Sequence, residues 1–482
     1  MADNTLLDYP DTQAFLESLR KLPEAAHPAL QTLFEHGESL TIARAPGRLD
    51  VMGGIADYSG ALVLQLPIAE ATFAAVQLTE SPEITVVSTG ELAGRSRAAT
   101  FSIHDLGLNG DPLGYPEAAA YFSDNEATRW AAYVAGAFVV LAREKAARFT
   151  QGAKILIDSA VPEGKGVSSS AALEVASMNA IASAFNVELS AKELALLSQK
   201  VENLVVGAPC GVMDQMSSVF GEADNLMALL CQPAELQGSV ALPEELSVWG
   251  LDSGIRHAVS GADYGSVRVG AFIGYRIIAD AAGLPARKQS GRISIDDSTW
   301  NGYLANVTPS VYESRFANIL PERISGSEFL RRFQGTTDPV TSVDPDTEYE
   351  VGAPAQHPVY EHARVKTFAA LLGSTNEERA ELLGELMYQS HASYSLCGLG
   401  SDGTDRLVEL VREAGPGEGL FGAKITGGGS GGTVALLGRA DAREAVEAIA
   451  SRYANETDHN PYIFTGSSMG ARTCGTAEID LR

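Results

Sequence analysis

Cysteine is scarce in this sequence, and its few thiols are not spaced for metal binding or for a disulfide framework. The four are widely separated: Cys210, Cys231, Cys397 and Cys474. Structural zinc sites and disulfide-rich domains use close, repeated cysteine spacings. The sequence therefore excludes both of these classes of protein.

Positive charge is also in short supply. The chain carries 35 lysines and arginines against 61 aspartates and glutamates, a formal net charge of −26. Because nucleic acids and anionic membranes repel an acidic surface, we expect neither as a partner. A phosphorylated small molecule stays possible, since a few well-placed cations can bind it.

Long apolar runs are missing as well. No stretch of 18 uncharged apolar residues occurs, so no membrane-spanning helix is predicted. The first residues lack the basic and apolar regions of a signal peptide, and we expect a cytoplasmic protein. The pattern does not indicate an oligomeric state.

What the sequence does contain is enough apolar material for more than one core. A chain of 482 residues with 45% hydrophobic residues suggests two to three domains. The pattern of predicted helices and strands becomes irregular near 235–245. We therefore predict two domains, over 1–240 and 241–482. Residues 285–358 are polar and lack periodicity, so we interpret them as an insertion in the second domain.

The most informative stretch joins a predicted strand to a predicted helix through a loop rich in glycine and serine. The strand covers 153–157, the loop reads Val-Pro-Glu-Gly-Lys-Gly-Val-Ser-Ser-Ser-Ala-Ala over 161–172, and the helix covers about 169–185. Loop N–H groups and the positive end of a helix dipole can bind an anion. The spacing is not that of a Walker A loop. On this segment alone, a flexible turn capped by serine is an equal alternative.

A second glycine run occupies 427–432 and reads Gly-Gly-Gly-Ser-Gly-Gly. It formally matches the dinucleotide fingerprint, but a predicted strand over 433–437 follows it instead of a helix. We expect either a tight turn or a backbone that approaches another element closely, such as a phosphate loop.

Four charged residues near glycine-rich segments suit phosphoryl transfer. Asp214, in Gly-Ala-Pro-Cys-Gly-Val-Met-Asp-Gln, is a candidate base, with a helix cap or an ion pair as alternatives. Glu202 precedes it near the end of a predicted helix. Arg48 and Asp57 flank the first glycine turn of the chain, which lies within residues 47–60. A base, a cation, a carboxylate for a metal and a phosphate loop fit transfer of a phosphoryl group to a hydroxyl.

These motifs, in this order, resemble those of the GHMP small-molecule kinases. They are Pro-Gly-Arg at 46–48 with Asp-Tyr at 57–58, Pro-x-x-x-Gly-Val-Ser-Ser-Ser-Ala at 162–171, and Lys-x-Thr-Gly-Gly-Gly-Ser-Gly-Gly at 424–432. The segment 207–215 is similar to the galactokinase-like branch. The resemblance implies an α+β, two-domain GHMP kinase fold with the active site in the interdomain cleft.

The resemblance also implies ATP and Mg²⁺ as cofactors and assigns roles by position. Asp214 matches the base that takes the proton of a sugar's anomeric hydroxyl, and Arg48 matches the cation that pairs with it and steadies the moving phosphoryl group. Ser170 and Glu202 match the Mg²⁺ ligands. The implied ATP contacts are Gly164, Lys165, Gly166, Val167, Ser168, Ser169, Ser170, Gly427, Gly428 and Gly429. The implied substrate contacts are Arg48, Asp50, Gly54, Asp57, Asp214 and Tyr264.

The first glycine turn departs from the galactokinase pattern Gly-Arg-x-Asn-x-x-Gly-Glu-His-x-Asp-Tyr. Here Asp50 replaces the asparagine, and Gly54-Ile55 replace Glu-His. In galactokinases that glutamate serves the 6-hydroxyl of the sugar, so its loss favours a sugar without that group. L-Arabinopyranose is such a sugar, and the segments 47–60, 161–178 and 199–216 are similar to plant L-arabinokinases.

Three functions follow from this resemblance. The first is an L-arabinose 1-kinase that forms β-L-arabinose 1-phosphate. The second is a galactokinase that forms α-D-galactose 1-phosphate, because a pocket discriminates against one missing carbon by only about 1–3 kcal/mol. The third is a non-catalytic sugar sensor, which the intact phosphate loop and base disfavour. On the same reasoning, Gly54→Glu is expected to move the preference toward D-galactose.

Overall fold

A computed structural model describes residues 5–90, 94–255, 264–289, 292–373, 377–429 and 432–481. The strands in these ranges are β1 Ser39–Met52, β2 Leu62–Thr79, β3 Glu83–Ser88, β4 Ala98–Ser102, β5 Gly152–Ser159, β6 Asn225–Leu230, β7 Glu235–Ala241, β8 Leu246–Asp252, β9 Ala286–Gln289, β10 Arg292–Ile295, β11 Arg323–Ser325, β12 Glu348–Glu350, β13 Leu420–Ile425, β14 Thr433–Arg439, β15 Ile463–Phe464 and β16 Thr476–Asp480.

The helices in the same ranges are α1 Pro10–Arg20, α2 Pro28–Gln31, α3 Tyr115–Ser123, α4 Ala132–Lys145, α5 Ser169–Ala184, α6 Ala191–Lys200, α7 Met213–Phe220, α8 Tyr264–Ala281, α9 Pro309–Arg315, α10 Gly326–Phe333, α11 Gly352–Leu372, α12 Glu377–Leu396, α13 Asp402–Ala414, α14 Arg443–Thr457 and α15 Ala471–Cys474. Across the described ranges, none of these helices is long and apolar enough to cross a membrane.

The larger sheet has eight strands and carries the phosphate loop. Its main path runs β16-β1-β2-β5-β3-β4, and β6 joins β2 and β7 at the side. Pairing is antiparallel except between β3 and β5, which run parallel. Helix α4 is rich in alanine and valine and helix α5 in alanine and serine, and the two pack together over this sheet in one apolar core. Their small side chains allow α5 to lie close to β1 and β2, which places the N-terminus of α5 beside the first glycine turn.

The smaller sheet belongs to the second half of the chain. Its four antiparallel strands follow the order β13-β14-β8-β15. The glycine run at 427–432 connects β13 to β14, and Ser430 and Gly431 of that run lie outside the described residues. The final strand β16 leaves this half and pairs with β1 of the larger sheet. The division at 240/241 stays a prediction.

The mixed helix and strand content confirms the α+β prediction, while several local predictions needed correction. The sequence pattern predicts two strands here, over 61–67 and 71–78, whereas the structure has the single strand β2, with β6 paired at its start and β5 at its end. The segment near 235–245, where an irregular boundary is predicted, contains the strand β7. Short helices are also expected within the predicted insertion, and they are present together with two small hairpins, β9-β10 and β11-β12.

Candidate active site

Arg48 connects the candidate base to the phosphate loop. It lies on β1 with 2% of its surface exposed, while Asp214 lies in the first turn of α7. Nε and Nη2 of Arg48 donate to Oδ1 of Asp214 at 3.0 and 2.7 Å, and Nη1 donates to the carbonyl oxygen of Gly166 at 2.7 Å. The planar guanidinium suits such simultaneous bonding. Arg48 therefore fixes the carboxylate and the loop relative to each other.

The loop has the backbone of an anion site. Gly164, Gly166 and Ser168 have φ angles of 70°, 73° and 60°, and α5 begins directly afterwards at Ser169. Positive φ at alternate loop residues lets N–H groups converge on one point beside the positive end of the helix dipole. Lys165 forms an ion pair with Asp252 at the end of β8, with Nζ and Oδ2 separated by 2.7 Å. The loop is thus tied to the smaller sheet as well as to Arg48.

A cavity of about 520 Å³ opens over this loop. Its wall includes the stretch from Val161 to Lys165 together with Ser169, Ser170, Trp130 and Tyr133. It continues into a cavity of about 830 Å³, which shares Arg95, Trp130 and Tyr133 with it. From the sequence, Trp130, Tyr133 and Phe138 could line a pocket or only the core. The structure puts Trp130 and Tyr133 in the pocket wall and Phe138 in the core.

A second cavity of about 290 Å³ collects the candidate acceptor residues. It is lined by Arg48, Asp57, Glu202, Ala208, Pro209, Cys210, Gly211, Met213, Asp214, Tyr264 and Gly428. Tyr264 is the first residue of α8, and its ring meets that of Tyr58 edge to face at 5.7 Å. The structure thus brings together residues that span more than 370 positions, from 48 to 428.

Asp57 is a buried carboxylate in this second cavity. It lies on the short helical turn Gly54–Ser59, is 3% exposed, and accepts a hydrogen bond from the backbone N–H of Tyr58 at 2.6 Å. Burial and the nearby charge of Asp214 raise the pKa of Asp57 to about 7, against a lowering by Arg268. A Cβ on Gly211 would lie 1.6 Å from Oδ2 of Asp57, so only glycine leaves room for this carboxylate.

The two predicted metal ligands also come together. Glu202 lies in the π-helical turn Val201–Val206 and is 6% exposed. Burial raises the pKa of Glu202, while side-chain hydrogen bonds, including one from Ser170, lower it. A hydroxyl and a carboxylate next to a phosphate loop fit Mg²⁺, which is usually bound through one or two carboxylates plus substrate phosphates. The described residues contain no group of three or more histidines, cysteines or acids that would hold a metal without a substrate.

The second glycine loop closes on the first. A Cβ on Gly427 would lie 2.6 Å from the carbonyl oxygen of Gly166 and 3.2 Å from Nη2 of Arg48. Of the alternatives left open by the sequence, the close approach to the phosphate loop is thus the one observed. Gly428 borders the acceptor cavity opposite Tyr264. Gly429 packs against the ring of Tyr394, and its Cβ would lie 2.7 Å from Cδ1.

Asp50 and Gly54 do not reach the wall of the acceptor cavity. Asp50 is fully buried and forms an ion pair with Lys424, with Oδ2 and Nζ at 2.5 Å. Its Oδ1 accepts hydrogen bonds from the N–H of Gly54 and from Gln65. Asp50 lies on β1 behind the turn that carries Asp57, and Gly54 is the first residue of that turn. Direct contact of either residue with a sugar stays a prediction.

Sequence reasoning missed several residues that support the site. Gln215 donates from Nε2 to Oε2 of Glu202 at 2.7 Å and to Oε2 of Glu174 at 2.9 Å. Burial and the charge of Glu202 raise the pKa of Glu174 well above its usual range. Arg268 donates to the carbonyl oxygen of Cys210 at 3.0 Å. The helical spacing of Glu174 from Ser170 was a usable signal, whereas nothing local pointed to Arg268.

Comparison with known proteins agrees with this geometry. Three family models match: GHMP kinases N terminal domain at residues 132–222, GHMP kinases C terminal at 369–455, and the galactokinase galactose-binding signature at 30–78. The L-arabinokinase of Arabidopsis thaliana is 45% identical over 98% of this chain. The chain spans about half of that relative, 51% of its length. The galactokinase of Chloroflexus aurantiacus is 29% identical over 89% of this chain and 92% of its own.

A solved structure shows the same fold. Lactococcus lactis galactokinase complexed with galactose matches with a TM-score of 0.71 at 20% identity, over 97% of this chain and 100% of its own. The mevalonate kinase of Methanococcus jannaschii matches with a TM-score of 0.55 at 14% identity, over 89% and 98% of the two chains. The order of the motifs and the way they meet around Arg48 agree with these matches. The chain belongs to the GHMP kinase family.

Proposed function

We propose that the protein is an ATP- and Mg²⁺-dependent sugar 1-kinase whose acceptor is L-arabinose. The observation that carries the proposal is the position of Arg48, which bonds Asp214 and the Gly166 carbonyl oxygen together. A hydroxyl held at Asp214 therefore faces a nucleotide whose phosphates lie in the loop. Positioning and charge neutralisation of this kind provide most of the catalysis in phosphoryl transfer.

In the proposed reaction, the C1 oxygen of the sugar attacks the γ-phosphorus of ATP. The bond from that phosphorus to the β–γ bridging oxygen breaks, and ADP leaves with the electron pair. The hydroxyl proton passes to the carboxylate of Asp214, which serves as general base. Arg48 bonds to Oδ1, so we assign proton acceptance to Oδ2, and its guanidinium stabilises the charge on the transferring group.

Ser170 and Glu202 would hold Mg²⁺, which supplies charge neutralisation at the phosphates when bound. Gln215 orients Glu202 from the protein side through its 2.7 Å hydrogen bond. The adenine base is assigned to the cavity beyond the loop, where Trp130 and Tyr133 offer aromatic surface. This places the triphosphate between an aromatic pocket and the acceptor cavity.

The acceptor cavity supports binding of a monosaccharide. Asp57 offers a carboxylate to ring hydroxyls, and Tyr264 offers an aromatic wall. L-Arabinose is proposed over D-galactose because the relative named L-arabinokinase is 45% identical while the galactokinases are 27–29% identical. The galactose-binding signature at 30–78 supports D-galactose as the second candidate.

A panel of pentoses and hexoses with ATP and Mg²⁺, assayed for sugar 1-phosphate, tests the proposal. We expect the highest kcat/KM with L-arabinose. A higher kcat/KM with D-galactose would overturn the arabinose assignment and leave the kinase assignment intact. Turnover of no sugar at all would favour the sensor alternative.

Asp214→Asn tests the role of the base. It should lower kcat by about 10²–10⁴-fold, while the affinity for ATP stays unchanged. Asp280→Asn makes the same chemical change at an exposed position of α8 and should leave kcat unaltered. A folded Asp214→Asn variant with the kcat of the wild type would contradict the assigned role.

A further inference from the structure

A buried ion pair connects the 285–358 insertion to the acceptor cavity. Arg268 on α8 is 4% exposed, and Asp338 between α10 and β12 is 5% exposed. Nε of Arg268 donates to Oδ2 of Asp338, and Nη2 donates to Oδ1, both at 2.7 Å. Asp338 also accepts hydrogen bonds from the hydroxyl of Thr341 at 2.6 Å and from the N–H of Val340 at 3.1 Å. The local chain of the insertion thus folds around this carboxylate.

The remaining face of Arg268 contacts Cys210 in the wall of the acceptor cavity and two aromatic rings nearby. Nη1 donates to the carbonyl oxygen of Cys210 at 3.0 Å, and Cys210 lines the cavity. The guanidinium lies 5.5 Å from the ring centre of Tyr58 and 5.6 Å from that of Phe272. Tyr58 directly follows Asp57. Arg268 therefore contacts the segment that carries Asp57 and the segment that leads to Asp214.

A guanidinium presents its N–H groups in a fixed plane. Two parallel bonds to one carboxylate set the orientation of that plane, and with it the direction of the third donor toward Cys210. Asp338 also supplies the buried counter-charge for Arg268. In its absence, Asp57 is the other carboxylate on which the charge of Arg268 acts.

We propose that Asp338 is a positioning residue of the acceptor site, through which the insertion holds Arg268 against Cys210 and Tyr58 and so sets the shape of the sugar pocket. This role rests on the proposed sugar-kinase function, in which the cavity receives the acceptor. Asp338 itself does not line the cavity and acts only through Arg268.

Asp338→Asn is the test variant, and Asp346→Asn is the matched control. Asp346 is an exposed aspartate in the same part of the insertion. Asp338→Asn should raise KM for the sugar by about tenfold while KM for ATP changes less than about twofold, because one partner of a buried pair is neutralised at the acceptor side only. Asp346→Asn should change neither KM. Equal effects of the two variants would overturn the proposal.

The pH profile separates positioning from general damage. The charged groups that act on Asp57 are Asp214 on α7 and Arg268 on α8, together with the N–H groups of Tyr58 and Met213. The phenols of Tyr264 and Tyr394 and the thiol of Cys231 also face Asp57, but burial raises the pKa of each well above its usual range, so they are neutral near pH 7. Because ionised Asp57 is the form that binds ring hydroxyls, kcat/KM should fall as pH drops below about 7. In Asp338→Asn the charge of Arg268 is no longer offset, which favours ionised Asp57 and moves this fall to lower pH.

A double variant and a labelling assay complete the test. Asp338→Asn combined with Arg268→Gln removes the cation, so the fall in kcat/KM should move to higher pH instead. A shift in the same direction for both variants, or no shift, would overturn the proposal. A loss of folding alone would lower the rate at every pH without moving the profile.

Labelling of the Cys210 thiol reports on the segment that Arg268 contacts, without any sugar. In Asp338→Asn the rate of modification by a thiol reagent should rise about fivefold or more, since access limits the reaction of this partly buried thiol. Cys210→Ser identifies the signal, because the other three cysteines are buried. An unchanged rate of thiol modification would contradict the proposal, even if the wild type phosphorylates no sugar. A raised rate of modification without any sugar turnover would support the contact and overturn the proposed sugar-kinase function.

Discussion

Gly54 carries the sharpest stability prediction, because its neighbour already fills the place of a side chain. Its φ angle is +44°, and an added Cβ would lie 1.5 Å from Oη of Tyr394 and 2.7 Å from Oδ2 of Asp50. Tyr394 is fully buried, accepts from the N–H of Ile55 at 2.8 Å and donates to the carbonyl oxygen of Gly427 at 3.1 Å. Gly54→Ala must therefore displace a hydroxyl that bonds to both glycine turns.

Three costs contribute to the change in the free energy of unfolding. Overpacking a buried site costs about 1–3 kcal/mol. Leaving the N–H of Ile55 without its acceptor costs about 1–3 kcal/mol. A side chain in a left-handed conformation costs roughly 1–2 kcal/mol. Together these predict that Gly54→Ala lowers the free energy of unfolding by about 5 kcal/mol, a large part of the roughly 5–15 kcal/mol that domains possess.

Denaturant unfolding followed by circular dichroism measures this loss. The control is Gly283→Ala, where φ is +75° and nothing lies within 4 Å of an added Cβ. That variant carries only the cost of the left-handed conformation, about 1–2 kcal/mol. If Gly54→Ala unfolds at the same denaturant concentration as Gly283→Ala, the reasoning from Tyr394 is refuted. The expectation that Gly54→Glu simply moves the preference toward D-galactose changes accordingly, since this glutamate must first displace Tyr394.

Three further changes test the network around the site. Lys424→Met leaves the buried carboxylate of Asp50 without its partner and should lower the free energy of unfolding by about 3–5 kcal/mol, as urea unfolding would reveal; full stability would contradict the ion pair. Burial opposes ionisation of Glu361, but Arg364 and other cations prevail and lower its pKa to about 2. Its stabilisation is therefore present above about pH 4.5 and lost as pH falls toward 2. Glu361→Gln should flatten the plot of unfolding free energy against pH in this range. An unchanged plot would contradict the role given to Glu361. Gln215→Leu should raise the Mg²⁺ concentration for half-maximal rate by about 10–100-fold, and an unchanged requirement would rule out its orienting role.

The phosphate loop was predictable because its information is local. The expected strand over 153–157 and helix over about 169–185 correspond to Gly152–Ser159 and Ser169–Ala184. An apolar run, a glycine turn and a serine-rich helix start are each determined by neighbours within a few residues. The long strand β2 was predicted as two strands. Its pairing partner changes from β6 to β5 along its length, and no pattern in the sequence indicates that one continuous strand serves both partners.

The environment of the first glycine turn was not predictable, because it depends on distant contacts. A glutamate in the sequence pattern of relatives suggested a side chain at position 54 that faces the acceptor. The backbone instead directs that position toward Tyr394, whose bond to Ile55 spans 339 residues of sequence. Arg268 and Asp338 are 70 residues apart in sequence and pair in the same way. Propensity and periodicity describe faces of elements, and they do not specify which distant side chain fills a gap.

The same contacts explain why three ambiguous motifs were informative in combination. Gly47 is required where a Cβ would lie 2.6 Å from the carbonyl oxygen of Val167, and Gly427 where a Cβ would lie 2.6 Å from that of Gly166. Both glycines therefore let their backbones lie close to the phosphate loop. Both contacts lie beside Arg48, whose backbone N–H donates to the carbonyl oxygen of Val167 at 3.1 Å. Each run by itself reads as a turn. Only a fold that brings all three backbones around one guanidinium needs glycine at these places together, so their joint presence predicts the site better than any single motif does.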